Sequence, residues 1–95
     1  MDLSDFRVKI DEVDSALVEL FLRRMNIAAE IAAFKKANGI PVLDSSREEA
    51  KLRQVSAMAP EEMQEYVRSL YGTIFELSRA HQTRLLDCAG KDGAE

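Results

Sequence analysis

The sequence predicts an all-α fold of three helices, one long, one short and one long, and two periodic stripes carry that prediction. Apolar residues stand at Leu3, Phe6, Ile10, Val13, Leu17, Leu20, Ile27, Ile31 and Phe34, a 3-4 spacing broken only at Arg24. Such a spacing draws one apolar seam along a helix. Met63, Val67, Leu70, Ile74 and Leu77 repeat the helical period further on. No stretch alternates apolar and polar residues as a half-buried strand does.

The first helix begins with Asp2 or Ser4 as its cap and runs to Asn38-Gly39, a C-terminal stop, with Pro41 just beyond. About 35 residues at ~1.5 Å each make a rod of ~50 Å. That rod is too long for the interior of a compact 95-residue chain, whose radius of gyration would be about 12 Å. Much of the seam must therefore pack on another chain, and the expected assembly is an intertwined helical homodimer. The second helix starts after Asp44-Ser45-Ser46 and fades near Met58-Ala59. Glu48 lies three residues after Ser45 there, the spacing of a capping box. The third opens at Pro60, a favoured first-turn residue, with Glu61 and Glu62 at the positive end of the helix dipole. It continues to about Leu85 or Leu86, and Gly90 to Glu95 reads as a frayed polar tail. The whole, residues 1–95, is expected to form one domain.

At 46% hydrophobic and 32% charged residues, the chain is globular rather than disordered. A formal net charge of -4 argues against a nucleic-acid footprint and makes any cationic cluster a local feature. Cys88 is the only cysteine, which excludes an intrachain disulfide and a metal knuckle and favours a reducing, cytoplasmic setting. Asp2, Asp5 and Arg7 arrive before any apolar run, unlike a signal peptide, and no stretch approaches the ~20 apolar residues of a membrane span.

The break in the seam carries the chemistry. An unpaired cation in an apolar seam costs several kcal/mol of desolvation, so something anionic should meet Arg24. Lys35 is eleven residues on and returns to within about 20° of the same helical face. Two cations on one side of a helix prepare a pocket for a small polyanion. Arg7 lies seventeen residues before Arg24, about 25 Å along the rod. Either it serves another purpose or it reaches a site on a partner subunit. Arg47 and Glu48 occupy the first turn after Asp44, and Ser78 and Gln82 form an i,i+4 pair on one face. Together these groups suit a ligand carrying carboxylates, a hydroxyl and an ether. Each also has a local reading: Arg24 can snorkel or fix helix register, Lys35 suits the negative end of a helix, and Glu48 can act as a cap. His81 falls beside the apolar stripe and reads as a flanking residue.

At these residues the chain resembles the all-α class of chorismate mutases. The likeness is carried by Arg7-(x16)-Arg24-(x10)-Lys35-(x8)-Asp44-x-x-Arg47-Glu48 and then Ser78-x-x-x-Gln82, and covers residues 5 to 86. The resemblance implies the [3,3] rearrangement of chorismate to prephenate in aromatic amino acid biosynthesis, with no metal or other cofactor. By the same likeness, Arg24 and the partner's Arg7 clamp two carboxylates. Lys35 and Gln82 donate to the ether oxygen, and Glu48 accepts from the ring hydroxyl beside the backbone at Asp44. Ser78 and Arg47 support a carboxylate and the walls. Two alternatives stay open at this point: an isochorismate-pyruvate lyase of the same fold, and a non-catalytic helical dimerisation module whose seam serves only as an interface.

Overall fold

A computed structural model describes the backbone of residues 1–94 and the side chains of residues 1–87. The chain is all-α: helix α1 spans Leu3–Ala37, α2 spans Ser45–Ala57, and a 3-10 turn at Glu61–Met63 leads into α3, Gln64–Ala94. Asp2 caps α1, accepting from the Asp5 backbone N–H at 3.1 Å while the Asp5 carboxylate accepts from the Asp2 N–H at 2.9 Å, a reciprocal capping box. At its other end Ile40 N–H donates to the Lys35 carbonyl and Gly39 N–H to that of Lys36. This is a Schellman closure, and it needs the positive φ of +66° that Gly39 supplies. The chain then reverses and brings Val42 back over the last turns of α1.

Three boundaries differ from the sequence reading. Asp44, not Ser45, is the N-cap of α2, its Oδ1 accepting from the Arg47 N–H at 3.0 Å. Glu48 therefore sits one position too late for a capping box and is free for other work. Pro60 keeps an extended ψ of 151° and precedes the helical turn rather than opening it. Helix α3 continues past Leu86 to Ala94, because no proline interrupts it and glycine in a helix costs only about 1 kcal/mol. The stretch read as a polar tail is thus helical as far as Ala94, while Glu95 and the Cys88 side chain lie outside the described residues.

Helix α3 packs against both α1 and α2, and the buried residues mark where. Ala28 and Ala32 on α1, Val55 and Ser56 on α2, and Phe75, Ser78 and Gln82 on α3 are buried. Small side chains at 28 and 32 let α3 approach the α1 backbone closely. Arg68 on α3 donates from Nε to the buried Ser56 hydroxyl at 3.2 Å and ties α2 down. On α3 the buried face runs through Phe75, Ser78 and Gln82, whereas Leu70 and Leu77 of the predicted stripe stay exposed, as does the α1 seam from Leu3 to Phe34. The stripes are real but face outward from a single chain. The radius of gyration is 17.2 Å and the extents are 59 × 29 × 15 Å, against about 12 Å for a compact chain of this length. The accessible surface is 7460 Å², where a compact monomer of this mass would show about 5,500 Å².

Candidate active site

Where α1, α2 and α3 converge, a cavity of about 370 Å³ opens. Its walls hold Arg24, Lys35, Asp44, Arg47, Glu48, Ser78 and Gln82, joined by Lys51 and Arg79 and floored by Ala28 and Phe75. Seven of the eight residues singled out in the sequence thus share one cavity although they span positions 24 to 82. The eighth, Arg7, lies on the exposed N-terminal half of α1 and is not among the lining residues. His81 does not line the cavity either and is half-buried.

The α1–α3 contact fixes the cations and their neutral partners. Arg24 donates from Nη1 to the Ser78 hydroxyl at 3.3 Å. Its guanidinium carbon lies 5.5 Å from the Phe75 ring centre and 5.8 Å from that of Tyr71, within cation–π range. The two rings meet edge to face at 6.0 Å. The anion expected at Arg24 is not a protein group: among the described residues its partners are these neutral ones. Two rings and a hydroxyl hold the guanidinium in place and leave other N–H groups unused, since guanidinium carries five. Ser78 in turn lies 3.7 Å from the Met25 sulfur, toward which its hydroxyl donates.

Lys35 leans back from the last turn of α1 and donates from Nζ to the Val42 carbonyl at 2.9 Å. That contact depends on the reversal at Gly39. An ammonium has three donors, so two remain for the cavity. Gln82 donates from Nε2 to the Ala28 carbonyl at 2.9 Å. A carbonyl can only accept, which fixes which end of the amide faces α1. The second N–H of the same nitrogen is left as a held, neutral donor. Nothing in the composition of the helix predicted that anchor, which exists because the small Ala28 side chain lets Gln82 reach its carbonyl.

Sequence reasoning missed Arg79, Phe75 and Lys51. Arg79 donates from Nη1 to both carboxylate oxygens of Glu48, bridging α3 to α2. Helical geometry could have found it: position 79 falls about 40° from Phe75 and about 60° from Gln82 on the wheel, so a cation sits on the face that turned out buried. Lys51 donates from Nζ to the Gln54 side chain at 2.9 Å, along α2. In total five cations and two carboxylates line the cavity of a chain whose net charge is -4. The local field therefore opposes the overall sign and favours a ligand with more than one negative charge.

A cation-lined cavity of this size in a helical protein, offering neutral donors and one paired carboxylate, has a lining suited to a small polyanion. The sequence matches the family model described as Chorismate mutase type II over residues 6–83, and the chain belongs to that family. It is 39% identical over 46 residues to a chorismate mutase of Methanocaldococcus jannaschii, covering 48% of this chain and 46% of the relative. It is 30% identical over 88 residues to a bifunctional chorismate mutase/prephenate dehydratase of Buchnera aphidicola, covering 90% of this chain and 23% of the relative. A third similarity, 33% over 51 residues, is to a T-protein of Haemophilus influenzae and covers 54% of this chain and 14% of that protein. The chain thus spans about half or less of the length of these curated relatives. No solved structure matches significantly.

Proposed function

We propose that the chain is a chorismate mutase, an isomerase that converts chorismate to prephenate in aromatic amino acid biosynthesis. The single observation that carries this reading is the convergence of Arg24, Lys35, Asp44, Arg47, Glu48, Ser78 and Gln82 on one cavity. The reaction is an intramolecular shift: the ether C–O bond breaks as a C–C bond forms, and no proton or electron enters or leaves. The protein's part is to hold the enolpyruvyl arm over the ring and to stabilise the charge that grows on the ether oxygen. Arg24 receives one carboxylate as a fork, with Ser78 and Arg47 beside it. Lys35 and Gln82 donate to the ether oxygen, each with a donor left over after its anchoring bond. Glu48 accepts from the ring hydroxyl beside the first turn that Asp44 caps. None of these steps calls for a metal or a cofactor, and a small metabolite site on a chain with one cysteine suits the cytoplasm. Among the described residues no helix is long and apolar enough to cross a membrane.

The active form in this reading is a homodimer in which the partner's Arg7 completes the cation set. The exposed α1 seam supports it, as does an accessible surface about 2,000 Å² above that of a compact monomer, of the order that obligate dimers bury. Sedimentation at micromolar concentration should give about twice the 10.7 kDa chain mass. A stable species at the chain mass would remove the basis for a shared site. The activity itself is tested by giving the protein chorismate and isochorismate separately. Prephenate from chorismate is the expected product. Pyruvate from isochorismate without prephenate would make the chain a lyase, and no reaction with either would leave it a binding module.

A further inference from the structure

We propose that Arg79 is a positioning residue for Glu48, aiming its carboxylate so that it can accept the substrate's ring hydroxyl inside a site built for a dianion. The inference rests on the mutase reading above. Glu48 and Arg79 sit 31 residues apart, on α2 and α3, and form the only side-chain ion pair among the described residues. Both line the cavity, with side chains 26% and 33% exposed.

Three arguments favour a positioning role over a plain structural latch. Partly exposed ion pairs contribute only about 0–1 kcal/mol to stability, so fastening α2 to α3 is a weak reason for a charge pair inside a ligand cavity. Buried Val55 and the Arg68–Ser56 hydrogen bond already hold those helices together. Secondly, a lone carboxylate would repel a dianionic ligand, and the adjacent guanidinium offsets that charge without removing the acceptor. Of the two acids in the cavity, Asp44 caps the α2 N-terminus through one oxygen, while the Glu48 carboxylate, among the described residues, makes no backbone bond and meets only the Arg79 side chain. Thirdly, Arg79 reaches both oxygens through one nitrogen. An ionised carboxylate offers about four lone-pair sites, so acceptor capacity remains on the oxygens after Arg79 is satisfied, while their orientation is fixed.

The test compares wild type, Arg79→Met and Arg79→Lys, each alone and combined with Glu48→Gln, using chorismate and its analogue lacking the ring hydroxyl. Arg79→Met should lower kcat/KM for chorismate by about 10-fold, within the coupling range of residues in direct contact, and Arg79→Lys should recover part of that loss. With Glu48→Gln already present, Arg79→Met should cost less than about 2-fold, because a neutral amide has no charge to offset. Binding of the deoxy analogue, which is still a dianion, should weaken less than that of chorismate in Arg79→Met, because it loses the charge offset but has no hydroxyl contact to lose. An equal loss of affinity for both ligands would mean that Arg79 offsets charge or holds the helices without aiming Glu48, and would overturn the proposal. A 10-fold loss that persists in the Glu48→Gln background would mean that Arg79 acts on the substrate itself, and would equally overturn the proposal. Should the wild type convert no chorismate, the mutase reading fails first; a wild-type rate with full activity in Arg79→Met sinks only the positioning role.

Discussion

Arg24→Ala and Lys35→Ala should each lower kcat for prephenate formation by at least about 100-fold, the usual loss when one preorganised donor to developing charge is removed. The helices should survive, because the buried part of the α1–α3 contact is built on Ala28, Ala32 and Phe75, and both cations are only half-buried. Arg24 is held by Ser78 and by the faces of Tyr71 and Phe75, and Lys35 by the Val42 carbonyl. Both charges are therefore in place before substrate arrives, Arg24 for a carboxylate and Lys35 for the growing charge on the ether oxygen, and need little reorganisation. Circular dichroism of each variant should overlay that of the wild type while turnover collapses. Unchanged kcat in either variant refutes its assigned role. The contrast with Arg24→Leu is informative, since a mere dimerisation module would lose nothing and would gain stability from an apolar residue in its seam.

Mixing two inactive variants should restore about a quarter of full activity. Arg7→Ala and Arg24→Ala homodimers each lack one cation in every site. When the two are unfolded together and refolded, roughly half of the dimers are mixed, and in a two-fold assembly each mixed dimer has one intact site of two. The expectation follows from the ~25 Å between positions 7 and 24 on one straight helix, and from the absence of Arg7 from the cavity of its own chain. If Arg7 served its own chain's site, no mixed dimer would hold an intact site and co-refolding would restore nothing.

The helices were legible because their ends are written in local chemistry. Asp2 with Asp5, Asn38 with Gly39, and Asp44 each satisfy terminal backbone groups through side chains or turns only a few residues away. The cations at 24 and 35 were legible for a related reason, since helical periodicity alone sets their shared face. The contacts that make a site of them were not. Glu48 had two readings until the register of α2 was known, and a shift of one residue in the cap decided against the local one. The Arg79 partner of Glu48 is 31 positions away, and the Ala28 carbonyl that orients Gln82 is 54 positions away. Distances of that kind depend on how closely two helices approach, which the alanines at 28 and 32 permit and no periodicity announces. The stripe of Leu70 and Leu77 misled in the opposite direction: its period was right, but its face is exposed in one chain, and the smaller, more polar line through Phe75, Ser78 and Gln82 is the one buried.

The N-terminal half of α1 carries a further consequence. From Leu3 to Leu20 the helix is exposed on every side of its own chain, and helices in proteins draw most of their stability from packing an apolar face. In the proposed homodimer, that packing comes from the partner. Arg7 sits on that segment, so in the proposed homodimer the event that packs it would also be the event that delivers the last cation to a neighbouring cavity. In that assembly, folding, association and completion of the site would share one equilibrium, and a dianion that bridges Arg24 of one protomer to the partner's Arg7 would act on all three at once. By thermodynamic linkage such a ligand is also an adhesive between subunits: the tighter it binds, the lower the concentration at which two chains find it worthwhile to stay together.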